Sequence, residues 1–98
     1  MMRNNKWSLA EQELFLRRLG NLLEKGYSLG YAIEFLQFNF SSKRKRDLKF
    51  CLVKLREGIS LFEILATLKF HRDILGYLYF AEKHGDLSFA LREGGLIA

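Results

Sequence analysis

The sequence of 98 residues contains no proline, one cysteine and two histidines. Valine, isoleucine and threonine together occur seven times, against 19 leucines. Because β-branched residues favour strands and unbranched ones keep their rotamers in a helix, this scarcity argues against a β-rich fold and favours helices. The single cysteine, Cys51, excludes an internal disulfide, and its apolar neighbours predict a small buried side chain.

Long apolar runs are also missing. The longest covers residues 74–81, which is eight residues, whereas a helix needs about 20 to cross a bilayer. No membrane span is therefore predicted. No apolar run follows the basic N-terminal residues, so no secretory signal is predicted either, and the chain is expected in the cytosol. With 49% hydrophobic and 28% charged residues, the chain is predicted to fold as one domain, 1–98, with a flexible N-terminus at 1–7.

The apolar residues that are present recur at helical spacing, between serine caps and glycine stops. Ser-x-x-Glu capping boxes begin at Ser8 and Ser60, and three glycines follow helical runs as C-terminal caps: Gly26, Gly58 and Gly85. The first predicted helix covers about 9–25, the second begins at 29 and ends around 39–42, and the third covers 43–57. A short fourth helix begins at 61, a fifth follows a cap at Asp73, and Asp86 opens a sixth.

Connections of a few residues make consecutive helices antiparallel neighbours. The predicted fold is therefore all-α: a six-helix antiparallel bundle built from two related helical hairpins plus a C-terminal pair. The relation between the hairpins depends on a partial repeat with a period of 32 residues, in which Gly26 and Ser28 correspond to Gly58 and Ser60. The alternative, that any helix–turn–helix punctuation produces this pattern, agrees with the sequence equally well.

Groups that could carry catalysis or hold a metal are sparse. His71 and His84 lie 13 residues apart, and one cysteine does not complete a paired zinc motif. No nucleophile has a histidine beside it, and no glycine-rich phosphate loop follows a strand. We therefore predict no catalytic residue, no metal site, no cofactor and no enzymatic activity.

Positive charge exceeds negative charge, with 16 Lys and Arg against 11 Asp and Glu and a formal net charge of +5. It is concentrated at the start of the third predicted helix, in Lys43, Arg44, Lys45, Arg46 and Lys49. Positive charge opposes the helix dipole there, so local stability does not explain it. Three interpretations of this cluster remain open: a solvated face, a surface for anionic lipid or a protein partner, and the phosphate-binding surface of a small basic helical nucleic-acid-binding protein. Nucleic acid is the less expected ligand, because the helix mixes Phe50 and Val53 with its cations.

Several of the 13 phenylalanine and tyrosine residues fall outside the inward-facing stripes of the predicted helices. The candidates for an interface are Tyr31, Phe38, Tyr77 and Tyr79. Large exposed apolar side chains mark protein interfaces, whereas the alternative is that the bundle core buries these four rings.

Three motifs follow one another from about residue 12 to 93. They are Phe15-x-x-Arg18-Leu19-x-x-Leu22-Leu23-x-x-Gly26-x-x-Leu29-x-x-Ala32-Ile33, then Leu55-x-x-Gly58-x-Ser60-Leu61-x-x-x-Leu65, then Glu82-x-x-Gly85-x-Leu87-x-x-x-Leu91. This pattern resembles the cytoplasmic domain of the type II secretion system protein F family. With the opening Lys6-Trp7-Ser8-Leu9-x-Glu11-Gln12, it is most similar to the Gram-positive competence branch encoded in the comG operon.

The resemblance implies a non-catalytic domain at the cytoplasmic face of the cell membrane, in a platform protein of type II secretion, type IV pili or competence and DNA uptake. Such a domain links the assembly ATPase to the membrane machinery that assembles pilin-like subunits. The implied partners are that ATPase, pilin or pseudopilin subunits, other platform proteins, a nearby membrane surface and a second copy of the chain as a homodimer.

The signature residues implied by the resemblance are Gly26, Gly58, Glu82, Gly85 and Leu87. We predict that Glu82 forms an internal ion pair with Arg18, the alternative being a dimer contact. Complete family members carry membrane segments and a second copy of the domain, which do not follow Ala98. The chain is therefore expected to be a soluble excised domain or a truncated product.

Overall fold

The computed structural model describes residues 6–85 together with Leu87, Ser88 and Leu91. These residues form five α-helices and one 3-10 turn, without a strand. The elements are α1 (Leu9–Glu24), α2 (Leu29–Leu36), the 3-10 turn (Gln37–Asn39), α3 (Ser42–Arg56), α4 (Leu61–Thr67) and α5 (Arg72–His84). The predicted all-α class is confirmed. Across this described part of the chain, no helix is both long and apolar enough to cross a membrane.

The prediction of a six-helix bundle ending in a helical pair was wrong, because the described residues contain five helices. The sixth helix was expected to begin at Asp86, which lies outside the described residues. Leu87, Ser88 and Leu91 have helical backbone, and Leu91 is buried against the core. The prediction depended on one cap and three apolar positions, a weak signal because short helices form only through tertiary packing.

The first four helices begin after serine caps, of which Ser8, Ser28 and Ser60 were predicted and Ser41 was not. At α1 the Glu11 N–H donates to Ser8 Oγ (3.1 Å), and the Ser8 N–H donates to Glu11 Oε1 (2.8 Å). This reciprocal pair is the predicted capping box. In the next three helices, a serine side chain likewise accepts the backbone N–H three residues later: Ser28, Ser41 and Ser60.

The start of α5 differs from its prediction. His71, and not Asp73, is the N-cap, since the Asp73 N–H donates to His71 Nδ1 at 3.1 Å. The helix therefore begins at Arg72 and places Asp73 in its first turn. The first turn of a helix favours a carboxylate through the helix dipole, and so does the N-cap position. The sequence pattern therefore does not distinguish these two positions for Asp73.

The ends of α1 and α3 have the same backbone geometry. Gly26 and Gly58 take positive φ angles of 99° and 87°. The residue after each glycine donates its N–H to the carbonyl five residues earlier, at 3.2 Å and 3.1 Å. A Cβ on either glycine would meet no atom within 4 Å, so glycine is required here by conformation and not by space. The 32-residue echo in the sequence thus corresponds to two equivalent turns.

The core lies between consecutive helices, with α1 packed on α2, α2 on α3, α3 on α4 and α4 on α5. Its side chains come from the apolar stripes that the sequence predicts, and include Phe15, Leu16, Leu19, Ala32, Ile33, Leu36, Leu48, Cys51, Leu61, Ile64, Leu65, Ile74 and Leu78. The predicted burial of Cys51 is confirmed. Burial, with a smaller contribution from the charge of Asp47, raises the pKa of its thiol to about 12.

Trp7, which precedes α1 in the sequence, belongs to the hydrophobic core. Trp7 is 2% exposed, and its ring centre lies 5.2–5.5 Å from those of Phe15, Phe40 and Phe70. Its indole Nε1 donates to Asp47 Oδ2 at 2.8 Å. Residues 1–5, most of the segment predicted to be flexible, lie outside the described residues. Trp7 is buried because a ring this large gains free energy by burial when its N–H has a partner.

Candidate functional site

The signature glutamate lies near the end of α5 and caps the start of α4. Glu82 Oε2 accepts the Leu61 N–H at 3.1 Å, and Oε1 accepts the Phe62 N–H at 3.0 Å. Ser60 Oγ accepts the next N–H, that of Glu63, at 3.2 Å. The first three N–H groups of α4 are therefore bonded, and a carboxylate lies at the positive end of its dipole.

Arg18, the predicted partner of Glu82, lies elsewhere. It is exposed on α1 and lines a shallow groove between α1 and α2, together with Asn21 and Phe35. The salt bridges among the described residues do not include an Arg18–Glu82 pair. The carboxylate instead bonds backbone N–H groups of α4, which the sequence pattern could not show.

Gly85 and Leu87 belong to the same Glu82-x-x-Gly85-x-Leu87 motif as the glutamate. Gly85 has a φ of 74° and ends α5 in the left-handed conformation, as predicted. Leu87 is half-buried and packs against the core. Glu82 thus joins α5 to α4, Gly85 ends α5 and Leu87 packs against the core.

The predicted basic cluster is divided by the structure, because Arg44 is buried at 7% exposure. Its Nε lies 3.2 Å from Glu11 Oε2, and its two terminal nitrogens lie 3.4 Å from Asp47 Oδ2 and 3.1 Å from the Lys6 carbonyl oxygen. The guanidinium also lies over the Trp7 ring, 5.3 Å from its centre. Arg44 is therefore a structural residue that joins α3 to the start of α1.

The Arg44 contacts also affect the Glu11 carboxyl. The hydrogen bond from the Ser8 N–H has the largest effect and lowers the pKa of Glu11; partial burial opposes it, and the hydrogen bond and charge of Arg44 lower the pKa further. A signal for the burial of Arg44 was present in the sequence, since Arg44 lies four residues before Leu48 on the inward stripe of α3.

Gln12 is, with Arg44, a buried polar residue of the described part of the chain, and the sequence named it only in the opening motif of the resemblance, without a structural role. It is 3% exposed. Its Nε2 donates to the Trp7 carbonyl at 3.1 Å, and its Oε1 accepts the His71 N–H at 2.8 Å. The side chain therefore connects the start of α1 to the start of α5, and only the packing of distant segments reveals it.

The other four members of the predicted basic cluster lie at the surface. Lys43, Arg46 and Lys49 are exposed and Lys45 is half-buried. The Lys45 ammonium lies 5.8 Å from the ring centre of Phe38, a cation–π distance. The structure thus brings one predicted interface aromatic into contact with the predicted basic cluster.

All four candidate interface aromatics are exposed, but they belong to two surfaces. α2 packs against α1 and α3, whereas α5 packs against α4. The α2 aromatic surface consists of Tyr27, Tyr31, Phe35 and Phe38, with exposed fractions of 46–80%. The α5 aromatic surface consists of Tyr77, Tyr79 and Phe80, with exposed fractions of 39–65%.

Helical spacing could have found part of the α2 aromatic surface. Tyr31 and Phe35 are four residues apart on α2, which places them on one side of the helix. The Tyr27 and Tyr31 rings stack at 5.2 Å. Glu34 of α2 and Arg56 of α3 line the groove beside Tyr31, so charged side chains of both signs border the rings.

The α5 aromatic surface extends onto α4. The ring centre of Tyr79 lies 5.1 Å from that of Phe62 on α4, and the Lys83 ammonium lies 5.1 Å from the Tyr79 ring centre. The ring centres of Phe80 and His84 lie 4.3 Å apart.

Within the described residues, no group of three or more His, Cys, Asp and Glu side chains could hold a metal ion.

Comparison with known proteins gives consistent results. Residues 15–94 match the family described as type II secretion system (T2SS), protein F. ComG operon protein 2 of Bacillus subtilis is 31% identical over 70 residues, which cover 71% of this chain and 22% of that protein. The ComG operon protein 2 homolog of Halalkalibacterium halodurans is 34% identical over 74 residues, which cover 76% of this chain and 23% of that protein. No solved structure matches the chain.

The chain spans less than a quarter of the length of the curated relatives it matches. The family match includes both αL glycine turns and the Glu82–Leu87 signature. The resemblance seen in the sequence is thereby confirmed: the chain belongs to the type II secretion system protein F family of non-catalytic platform proteins and is a homologue of ComG operon protein 2.

Proposed function

We propose that the chain is a cytoplasmic domain of a competence platform protein, which links the assembly ATPase to the membrane machinery that assembles pilin-like subunits. Family membership and homology to ComG operon protein 2 support the platform role. The partners are those of a larger protein, since the chain spans only part of its relatives. In this role the domain binds proteins and catalyses no reaction.

The observation that carries this proposal is the exposure of large aromatic side chains on two helices that do not pack on each other. Phe35 of α2 is 50% exposed and Phe80 of α5 is 65% exposed. Phenylalanine is among the residues most often buried, and clustered exposed rings mark protein interfaces. Two separate surfaces suit a domain that contacts two partners at once, as coupling requires.

The internal contacts between helices support the same function. Glu82 connects α5 to α4, Arg44 connects α3 to α1, and Gln12 connects α1 to the start of α5. A domain that passes movement from one partner to another has to keep its helices in register. Polar contacts between distant helices provide that register, because each has a defined geometry.

The proposal is tested by titrating the chain with a purified competence assembly ATPase and, separately, with a pilin-like subunit, using biolayer interferometry. Phe35→Ala and Phe80→Ala are expected to weaken different partners by about tenfold or more, as truncation of an aromatic anchor does. Leu9→Ala is the matched control, since Leu9 is an exposed apolar residue on α1, 40% accessible.

The proposal is wrong if the unaltered chain binds neither protein. It is also wrong if Leu9→Ala weakens binding as much as the two phenylalanine variants, because the contacts would then be unspecific. Circular dichroism of all three variants checks that their helices are intact.

A further inference from the structure

One charged surface is not explained by the packing of the helices. It is formed where the 3-10 turn meets α3 and is called here the α3 basic surface: Phe38, Lys43, Lys45, Arg46 and Lys49. Three of its cations are exposed and Lys45 is half-buried. Positive charge at a helix N-terminus opposes the helix dipole, so these side chains do not stabilise α3.

Phe38 makes this surface unlike an ordinary solvated helix face. Its ring is 80% exposed, the highest value among the large apolar side chains in the described residues. The Lys45 ammonium lies 5.8 Å from the ring centre. An apolar ring is therefore exposed on this surface with the Lys45 ammonium over its face.

Acidic side chains do not neutralise the α3 basic surface. The first turn of α3 contains no acidic residue. Asp47, in the next turn, accepts from Trp7 and pairs with Arg44. Within the described part of the chain, the four cations take part in no salt bridge. Their charge is thus available to an external anionic partner.

We propose that the α3 basic surface docks on a membrane that contains anionic lipid. The four cations attract the anionic headgroups, while Phe38 enters the boundary between headgroups and acyl chains. Duplex DNA would attract the same cations, but a ring finds apolar contact there only inside a groove, whereas a lipid surface has an apolar layer directly beneath its headgroups. Phe38 also belongs to the α2 aromatic surface, but the four cations do not, so the lipid contact does not depend on the protein partners of the proposed function.

The experiment measures sedimentation of the chain with phosphatidylcholine vesicles, with and without phosphatidylserine. Binding is expected only to the anionic vesicles. Each basic side chain contributes about fivefold to the affinity, so replacement of Lys43, Lys45, Arg46 and Lys49 by Gln should abolish it. Phe38→Ala should weaken vesicle binding by about fivefold and leave its salt dependence unchanged.

The matched control removes the same number of charges from exposed side chains of other elements, by Gln substitution of Lys25, Lys69, Arg72 and Lys83. Both fourfold variants lower the formal net charge of +5 equally. The control is expected to keep at least most of the vesicle binding, because its charges lie outside the docking surface. Circular dichroism confirms that both variants are folded.

Three results would overturn the proposal. One is equal binding to vesicles with and without phosphatidylserine. Another is equal loss of binding in the control and the test variants, since net charge alone would then account for it. The third is tighter binding to duplex DNA than to anionic vesicles at the same salt concentration, which would make this a nucleic-acid surface. Binding of the test variant to the assembly ATPase without lipid reports separately on the proposed function.

Discussion

At the scale of single residues, positive φ angles decide where helices stop. Gly26 and Gly58 end α1 and α3 in the left-handed conformation. The turn that ends α4 has the same geometry, with a lysine in place of the glycine. Lys69 has a φ of 66°, and the Phe70 N–H donates to the Leu65 carbonyl at 3.1 Å. A side chain with a Cβ is strained in this conformation, so Lys69 stores a small amount of unfavourable energy.

Replacement of Lys69 by Gly should therefore stabilise the protein. We expect Lys69→Gly to raise the free energy of unfolding by about 0.5–1 kcal/mol, because relief of strain exceeds the entropy that glycine adds to the unfolded chain. Lys25→Gly makes the same chemical change at a residue with a φ of −78°, and should lower stability. Urea unfolding followed by circular dichroism measures both, and equal signs for the two variants would contradict the explanation.

At the scale of elements, α4 depends on its neighbour. It has seven residues, and a helix this short is not stable alone in water. Its first N–H groups are bonded by Glu82 from α5 and by its own cap, Ser60. The signature glutamate therefore stabilises a second helix more than the one to which it belongs.

Loss of the Glu82 carboxylate should destabilise the α4 start in particular. We expect Glu82→Ala to lower the free energy of unfolding by about 2 kcal/mol, since two charge-assisted hydrogen bonds are lost. Glu82→Gln should cost less, because its amide oxygen still accepts. Amide hydrogen exchange at Leu61 and Phe62 should become faster in both variants.

Glu63→Ala is the matched control for this prediction. Glu63 is an exposed glutamate in the first turn of α4, so its loss removes only a dipole interaction of about 0.5 kcal/mol. If Glu63→Ala and Glu82→Ala had the same effect on stability, the capping role of Glu82 would be disproved.

At the scale of the whole molecule, a few buried polar side chains join segments that are distant in sequence. Arg44 bonds Glu11, 33 residues away, and Gln12 bonds His71, 59 residues away. Trp7 lies between these two residues, with its ring under Arg44 and its carbonyl bonded by Gln12. Lys6 and Trp7 are thereby part of the folded domain.

Arg44 and Arg46 should differ in their effect on stability although they are near neighbours in one basic run. Arg44→Ala should lower the free energy of unfolding by about 2–3 kcal/mol, because it leaves half-buried carboxylates and the Lys6 carbonyl without this partner. Arg46→Ala, at an exposed position, should change it by less than about 0.5 kcal/mol. Equal effects in urea unfolding would contradict the division of the cluster.

The difference caused by Arg44→Ala should also depend on pH. The pKa of Glu11 is lowered from its ordinary value of 4.5 in the folded state, so the stabilisation is present above that value and is lost as the pH falls through the folded pKa. The gap between the unaltered chain and Arg44→Ala should therefore be full at neutral pH and shrink below about pH 4.5.

The sequence by itself determined the helices, most of their caps and the residues that face the core. These features depend on side chains three to five positions apart, whose relative placement is set by the geometry of one helix or turn. Ser8 with Glu11, Gly26 and the stripe of Phe15, Leu16 and Leu19 are examples, and the structure places each of them as predicted. The family resemblance follows from the same local pattern.

Only the tertiary structure decided which helices exchange polar contacts, which groups Arg44 bonds and how far Phe38 protrudes. Glu82 could have met any nearby cation, but the packing of α5 on α4 brings it to N–H groups 20 and 21 residues earlier. The count of helices depends on tertiary packing in the same way, since a short apolar segment does not form a helix alone. Partners distant in sequence are chosen by how whole helices pack, and no local spacing encodes that choice.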